Sequence, residues 1–471
     1  MTLSLVLLLG TCVRGFLFAI PSLHETLLSR PELVTPVSSF YRLEEGVFLY
    51  HSTGSPYSGD VYHQPPLLFA LLYPVLQFVP LALQYFIRCA VFISVDLLLA
   101  MGFARLCARN LKLEEGRHFK IHGREIWLSQ VPVSPLFQPK TLPTTAAFTA
   151  LMNPFSLASS VAMSTVSFTH LAVLYSLVFA SEGAVAASMM CVAVGSYLSV
   201  YPFFLMMPIM LLLCSAKTDT TTDNKASGVT ATLGLKCLVS FGLWLGLLFY
   251  LSWSLTGDWT FLEETYVWVA KFSDLTPNIG IFWYFFMEVF DRFIPYFLFV
   301  MHLHPVIYVV PIYLRLAHRP QAYACALIGT FSLFQAYPSF GDFGFFLSML
   351  ALHPKTIMST CEKLEIVRVI EYLRVSRSKY VFWYTAIENR FVYVIGLGAA
   401  TCMLPVMWFL WLFPASGNAN FFYNQTLVYQ IFSSQIITAF VGATMKRDKD
   451  VDKYRMRVLK KLEQTKVEAR E

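Results

Sequence analysis

Apolar residues fall along the chain in runs, with polar residues gathered between them. Runs of roughly 18–20 residues are what a helix needs to cross a bilayer. On that basis the pattern predicts spans near 3–20, 82–104, 143–160, 167–181, 184–201, 202–216, 232–254, 293–314, 321–337, 343–358, 391–412 and 424–445. The first run is interrupted by Arg14, and the segment after it, Ile20-Pro21-Ser22, lacks a small-residue cleavage site, so a retained anchor is expected rather than a signal peptide. Residues 65–80 are also apolar, but Pro65, Pro66, Pro74 and Pro80 break them, and they read as a short helix at the membrane face. Two long stretches lie between spans, 21–81 and 255–292; the second mixes acids with aromatics and is not apolar enough to cross. Trp and Tyr in the second suit the headgroup layer, where a ring sits in lipid and its polar edge stays wet.

Composition agrees with this pattern. Hydrophobic residues make up 56% of the 471 and charged residues only 14%, against about 25% charged in a typical soluble chain. A soluble globular protein and a disordered chain are both excluded. The fold class expected is all-α, a polytopic transmembrane bundle of about twelve spans with interfacial helices on the lumenal side. Residues 1–445 form one transmembrane domain and 446–471 a charged tail.

Charge sets the orientation. Residues 105–142 carry seven Lys/Arg against three Glu, whereas 21–81 carry Arg30 and Arg42 against five acids, so the two lie on opposite sides. Over all twelve spans, 27 basic residues fall in cytoplasmic segments and 4 in lumenal ones, as positive-inside insertion requires. Both termini are then cytoplasmic. Residues 217–228 and 354–390 read as flexible cytoplasmic connections, and the tail as a solvated helix or a disordered end.

Candidate chemistry is sparse. The nine cysteines show no CxxC or zinc-type spacing and are expected to form no disulfide. No P-loop, GxSxG or HExxH motif is present, so no cofactor, metal or catalytic residue is predicted. His302 and His304 are two apart within a span, point to different faces of a helix, and read as packing residues. Glu44-Glu45 is the most tempting acidic pair, in an otherwise solvated loop. Asp96 lies mid-span, where an unsatisfied acid costs about 2.5–3.5 kcal/mol; Arg88 is too far along one helix to reach it, so Asp96 is expected to pair with a neighbouring helix or subunit. The sequon Asn424-Gln425-Thr426 falls at the membrane boundary and is expected to be unmodified.

Several motifs lie in these polar connections: SPYSGDVYHQPPLL (Ser55 to Leu68), LMNPF (Leu151 to Phe155), LTPNIGIFWYFFMEVF (Leu275 to Phe290), AYPSFGD (Ala336 to Asp342) and SGNANFFYNQTL (Ser416 to Leu427). Through them the chain resembles the PIG-U family of glycosylphosphatidylinositol (GPI) transamidase subunits. The resemblance implies a non-catalytic subunit of the endoplasmic-reticulum complex that joins a GPI lipid to a proprotein. Its implied partners are the catalytic PIG-K subunit, PIG-T, PIG-S, the GAA subunit and the GPI lipid. PIG-U is in turn distantly similar to GPI mannosyltransferases of the GT-C type, which carry an acid matching Asp96. The D-x-D type motif of those enzymes is replaced here by Thr35-Pro36-Val37-Ser38-Ser39-Phe40, without a carboxylate. The alternative is an active mannosyltransferase using dolichol-phosphate mannose with Glu44 or Glu45 as base.

For lipid contact, the residue types point to Asn278, Asn418 and Asn420 as hydrogen-bonding groups and to Phe282, Trp283, Phe421 and Phe422 as a groove lining. The same aromatics could equally pack helices, and the same amides could cap helices or shape turns.

Overall fold

The computed structural model describes residues 2–122, 138–218, 230–354, 356 and 390–468. The connections 217–228 and 354–390 lie almost wholly outside the described residues. Every regular element among those described is helical.

The chain starts with α1 (Leu3–Phe18) and α2 (Pro21–Leu28). Then come α3 (Phe40–Thr53), α4 (Pro66–Gln77) and α5 (Leu81–His122). The centre of the sequence gives α6 (Leu142–Met152), α7 (Pro154–Val161), α8 (Val166–Ser181) and α9 (Val185–Leu198), and after a 3-10 turn α10 (Met206–Thr218) and α11 (Ala231–Thr256). Two very short helices, α12 (Thr260–Leu262) and α13 (Trp268–Lys271), flank a π-turn and precede α14 (Phe282–Glu288). The remainder is α15 (Ile294–Ile307), α16 (Val309–Leu316), α17 (Pro320–Phe334), α18 (Phe340–Leu350), α19 (Arg390–Leu412) and α20 (Ala419–Glu468).

Among the described residues, five helical stretches are long and apolar enough to cross a membrane: Leu81–Lys112, Ala231–Thr256, Asp291–Leu316, Val392–Leu412 and Ala419–Lys449. The pair α1 and α2 passes the same test only if counted together, bent by 87°. The other apolar runs form helices shorter than the lengths a straight crossing needs, and two expected spans are broken. Residues 143–160 divide at Asn153-Pro154. Pro154 has no N–H to give the preceding turn, while the Asn153 side chain accepts from Phe155 N at 3.1 Å and starts α7 afresh. Residues 202–216 open as a 3-10 turn over Tyr201–Leu205 before α10 begins. Residues 65–80 form α4, which Pro80 separates from α5, so 65–104 holds one long helix. The last span and the tail run on as one helix, α20.

Burial orders the bundle. α17 and α18 are buried almost all round, which a helix apolar on every face requires. Gly329 of α17 lets Phe346 of α18 approach closely; a Cβ there would lie 2.8 Å from that ring. By contrast only 17%, 11% and 17% of the apolar windows in α11, α15–α16 and α19 are buried, so these helices stand at the periphery with apolar faces outward.

The two polar-aromatic stretches meet at one end of the bundle. Arg42 donates to Asp274 at 2.6 Å, and the His63 ring stacks on Trp268 at 3.7 Å. At the other end Asn110 of α5 meets Gln321 of α17, and Arg319 and His318 hold Asp448 of α20.

Candidate site at the amide and aromatic turn

The segment from Asp274 to Glu288 is shaped by its own polar side chains. The Asp274 carboxylate accepts from Thr276 N at 2.7 Å, closing a turn of the kind Asp favours. Burial pushes this carboxyl up, but the Thr276 bonds and the Arg42 guanidinium outweigh that and hold it below its ordinary value. Asn278 is fully buried; its Oδ1 accepts from Gly280 N at 2.7 Å and its Nδ2 donates to Thr276 O at 3.2 Å. Both halves of the amide are therefore spent within the turn. That turn sets α14, whose Phe282 and Trp283 point inward and are buried.

Phe282 packs on Phe272 at 5.2 Å. Trp283 sits in an aromatic cage, 6.0 Å from Phe422, 5.7 Å from Tyr423 and 6.4 Å from Trp411. Its indole N–H is buried and has no hydrogen-bond partner among the described residues. α19 turns back into α20 through the bond from Gly417 N to Leu410 O at 3.0 Å. Asn418 then caps α20, its Oδ1 accepting from Phe421 N at 3.3 Å. Asn420 accepts from the Tyr284 hydroxyl, and Tyr284 stacks on Tyr423 at 4.5 Å.

The seven residues singled out for lipid contact thus divide. Trp283, Phe422 and Asn420 come together around Tyr284 and Tyr423, and Asn418 and Phe421 lie on the same helical turn as Asn420. Asn278, Phe282, Trp283 and Phe422 are buried, whereas Asn418, Asn420 and Phe421 are exposed, Phe421 by 54%. The exposed edge can therefore offer the Asn418 and Asn420 amide donors beside one open ring. Tyr284, Trp408, Trp411 and Tyr423 complete the cluster and escaped sequence reading, because aromatics within an apolar run carry no mark separating a cage from ordinary packing.

Asp96 lies elsewhere. Its carboxylate receives the Arg14 guanidinium at 2.6 Å, with the two side chains only 6% and 1% exposed. Arg14 also donates to the Leu151 carbonyl at 3.0 Å, joining α1, α5 and the end of α6. Arg88 reaches Glu44 and Gln84 instead. His302 donates to the Ala270 carbonyl at 3.0 Å, and His304 packs on Phe334 at 4.6 Å. Among the described residues no group of three or more His, Cys, Asp or Glu could hold a metal ion.

Comparison with known proteins identifies the family. The family described as GPI transamidase subunit PIG-U matches residues 8–429. The human GPI-anchor transamidase component PIGU is 26% identical over 95% of this chain and 94% of its own length. The Chinese hamster component of the same name is 27% identical with the same coverage. The GPI transamidase component GAB1 of Saccharomyces cerevisiae is 28% identical over 91% of each. A match that spans nearly the whole helical bundle, the amide and aromatic turn included, makes this chain a member of the PIG-U family of GPI transamidase subunits.

Proposed function

We propose that this chain is a non-catalytic subunit of the endoplasmic-reticulum GPI transamidase, and that it holds the GPI lipid while another chain forms the new amide bond. The observation carrying this reading is the family match over residues 8–429. The exposed turn at Asn418 and Asn420 gives it a chemical basis, because amide N–H groups suit phosphate and sugar oxygens and the neighbouring Phe421 suits alkyl chains. The contact residues are then Asn418, Asn420 and Phe421 at the edge, with Asn278, Phe282, Trp283 and Phe422 holding that edge in place from behind. In this reading Asp96 is a structural intramembrane charge.

Further parts of the proposal follow the family resemblance. The bundle is of GT-C type with about twelve spans, the short helices crossing as consecutive pairs or where the bilayer thins around them. Residues 1–445 form one transmembrane unit, 446–471 a cytoplasmic tail, and both termini face the cytoplasm. The stretches 21–81 and 255–292 then face the lumen, and the partners within the complex are the catalytic PIG-K subunit, PIG-T, PIG-S and the GAA subunit. The mannosyltransferase alternative is weakened by two observations: Glu44 is engaged by Arg88, and Thr35 to Phe40 holds hydroxyls where those enzymes carry acids.

Replacing Asn418 and Asn420 with Ala together is expected to lower surface levels of GPI-anchored reporters several-fold while the other subunits still co-purify. Asn418→Ser keeps a capping oxygen but removes the amide donor, and so separates helix capping from lipid contact. Normal reporter levels in the double variant would overturn the lipid-holding role.

A further inference from the structure

At the end of the bundle away from the polar-aromatic stretches, the start of α17 borders a cavity of about 60 Å³. Asn110 of α5, Ser215 of α10, Arg447 of α20 and Thr356 form other parts of its wall. Asn418 and Arg447 lie toward opposite ends of the apolar part of α20, so this cavity is remote from the amide turn.

The first turn of α17, Pro320-Gln321-Ala322, forms one side. A helix start leaves its first N–H groups without intrahelical acceptors and carries partial positive charge. Arg319 stands at the N-cap and makes no side-chain bond to that turn, so the N–H groups of Gln321 and Ala322 are not capped from within the helix. Asn110 adds a donor. Its Oδ1 accepts from Gln321 Nε2, whereas its Nδ2 is buried and has no hydrogen-bond partner among the described residues. The whole residue is only 9% exposed and lines the cavity, so the cavity is where a partner for that amide can sit.

Charge at the site is positive. Arg319 spends its Nε on Asp448, which also receives His318 and stands outside the cavity lining. The two Arg319 Nη groups have no partner among the described residues. Arg447 brings a second guanidinium, buried, whose Nη1 donates to Thr356 Oγ1 at 3.3 Å. Among the described residues that line the cavity none is acidic.

These groups narrow the occupant to an anion. A cation would face two guanidinium groups and the positive end of a helix. An apolar group would leave the Asn110 donor stranded as well as the charge uncompensated. The donors come from separate elements, and a tetrahedral oxyanion can engage them together where a planar carboxylate cannot. Volume agrees: at about 10–15 Å³ for each water-sized group, the cavity takes the four oxygens of one phosphate. It is far smaller than the ~150 Å³ that admits a benzene ring, so whatever else the phosphate is attached to stays outside. Ser215, Arg319 and Gln321 are partly exposed and leave that side open.

We infer that this cavity binds one terminal phosphate group, held by the first turn of α17, the Arg319 Nη groups and Asn110 Nδ2. In the orientation proposed above the site faces the cytoplasm, where the phosphate is either free or the headgroup of an anionic lipid. It shares no residue with the Asn418 turn, and its test reads phosphate binding rather than anchor attachment, so the two proposals fail separately.

The experiment follows the thermal midpoint of the full chain in neutral detergent, at constant ionic strength, as each probe is titrated. The probes are inorganic phosphate, acetate, and mixed micelles carrying phosphatidic acid or phosphatidylcholine. A group that binds only the folded state raises the midpoint. A rise with phosphatidic acid where phosphatidylcholine gives none assigns the phosphate to a lipid headgroup, and a rise with inorganic phosphate alone assigns it to a soluble source. Asn110→Leu should weaken the apparent affinity about tenfold, as loss of one hydrogen bond to a charged group does. Arg319→Lys keeps a cation beside Asp448 but loses the Nη fork, and should weaken it too; it decides the matter if Asn110→Leu does not fold. No rise with either phosphate carrier, an equal rise with acetate, or an affinity unchanged in the folded variants would each overturn the inference.

Discussion

A guanidinium inside an apolar helix is tolerable when its charge is cancelled where it sits. Arg14 achieves this with one carboxylate, Asp96, and one carbonyl, Leu151. Replacing Arg14 with Met removes the cation but leaves Asp96 buried, and breaking a buried pair from one side costs about 3–5 kcal/mol. Arg14→Met should therefore lower the thermal midpoint of the detergent-solubilised chain strongly, and adding Asp96→Leu should restore most of the loss. A double variant as unstable as the single one would show that the pair is not the reason. The sequence shows each of these residues as an anomaly in an apolar run, but 82 positions separate them and no periodicity links them. Asn278 illustrates the opposite difficulty. An amide that could serve a ligand serves Gly280 and Thr276 instead, and only burial distinguishes the two uses.

At the level of elements, each of the twelve apolar runs falls on a helix or a pair of helices, because hydropathy along a run is additive and legible. Where a run breaks depends on single capping groups, which hydropathy does not register. Asn153 is the clearest case. Its Oδ1 starts α7, while its Nδ2 donates to Gly344 O at 2.8 Å and to Ser348 Oγ at 3.1 Å, tying the break to α18. Asn153→Ala removes the cap and both donations, and should cost about 1–3 kcal/mol. Asn153→Ser keeps the capping oxygen and should recover part of that loss, measured as the thermal midpoint of the two variants. Equal midpoints for Ala and Ser would assign the whole effect to the α18 contacts. The length of α5 was equally out of reach, since a charged helix and a charged loop have the same composition. A helix in the tail, by contrast, is one of the two readings its charges allowed, and α20 runs on into it.

Across the whole molecule, the two polar-aromatic stretches act as one layer because they are fastened to each other. Trp268 lies between His63 of the first stretch and Tyr337 ahead of α18, 3.7 Å from one ring and 5.6 Å from the other. The Arg42–Asp274 pair clamps the same junction at 2.6 Å. Charge balance and prolines set the first stretch apart from the spans, and acids among aromatics the second, but contacts over more than two hundred positions are set by packing and leave no trace in sequence spacing. The clamp gives the layer a defined response to pH. The Asp274 carboxyl is held below its ordinary value of 3.8, so the folded state favours its ionised form more than the unfolded state does. Such a group adds its full stabilisation above the unfolded value, about 4, and loses it as pH falls through the lower folded value. Hydrogen exchange in 255–292, corrected for intrinsic rates, should accordingly be slower in the wild type than in Asp274→Asn at pH 6. That difference should close as the pH is taken well below 4, because protonated Asp274 no longer attracts Arg42. A gap of the same size from neutral to acid pH would mean that the ion pair does not hold the layer together and that the ring stack alone does.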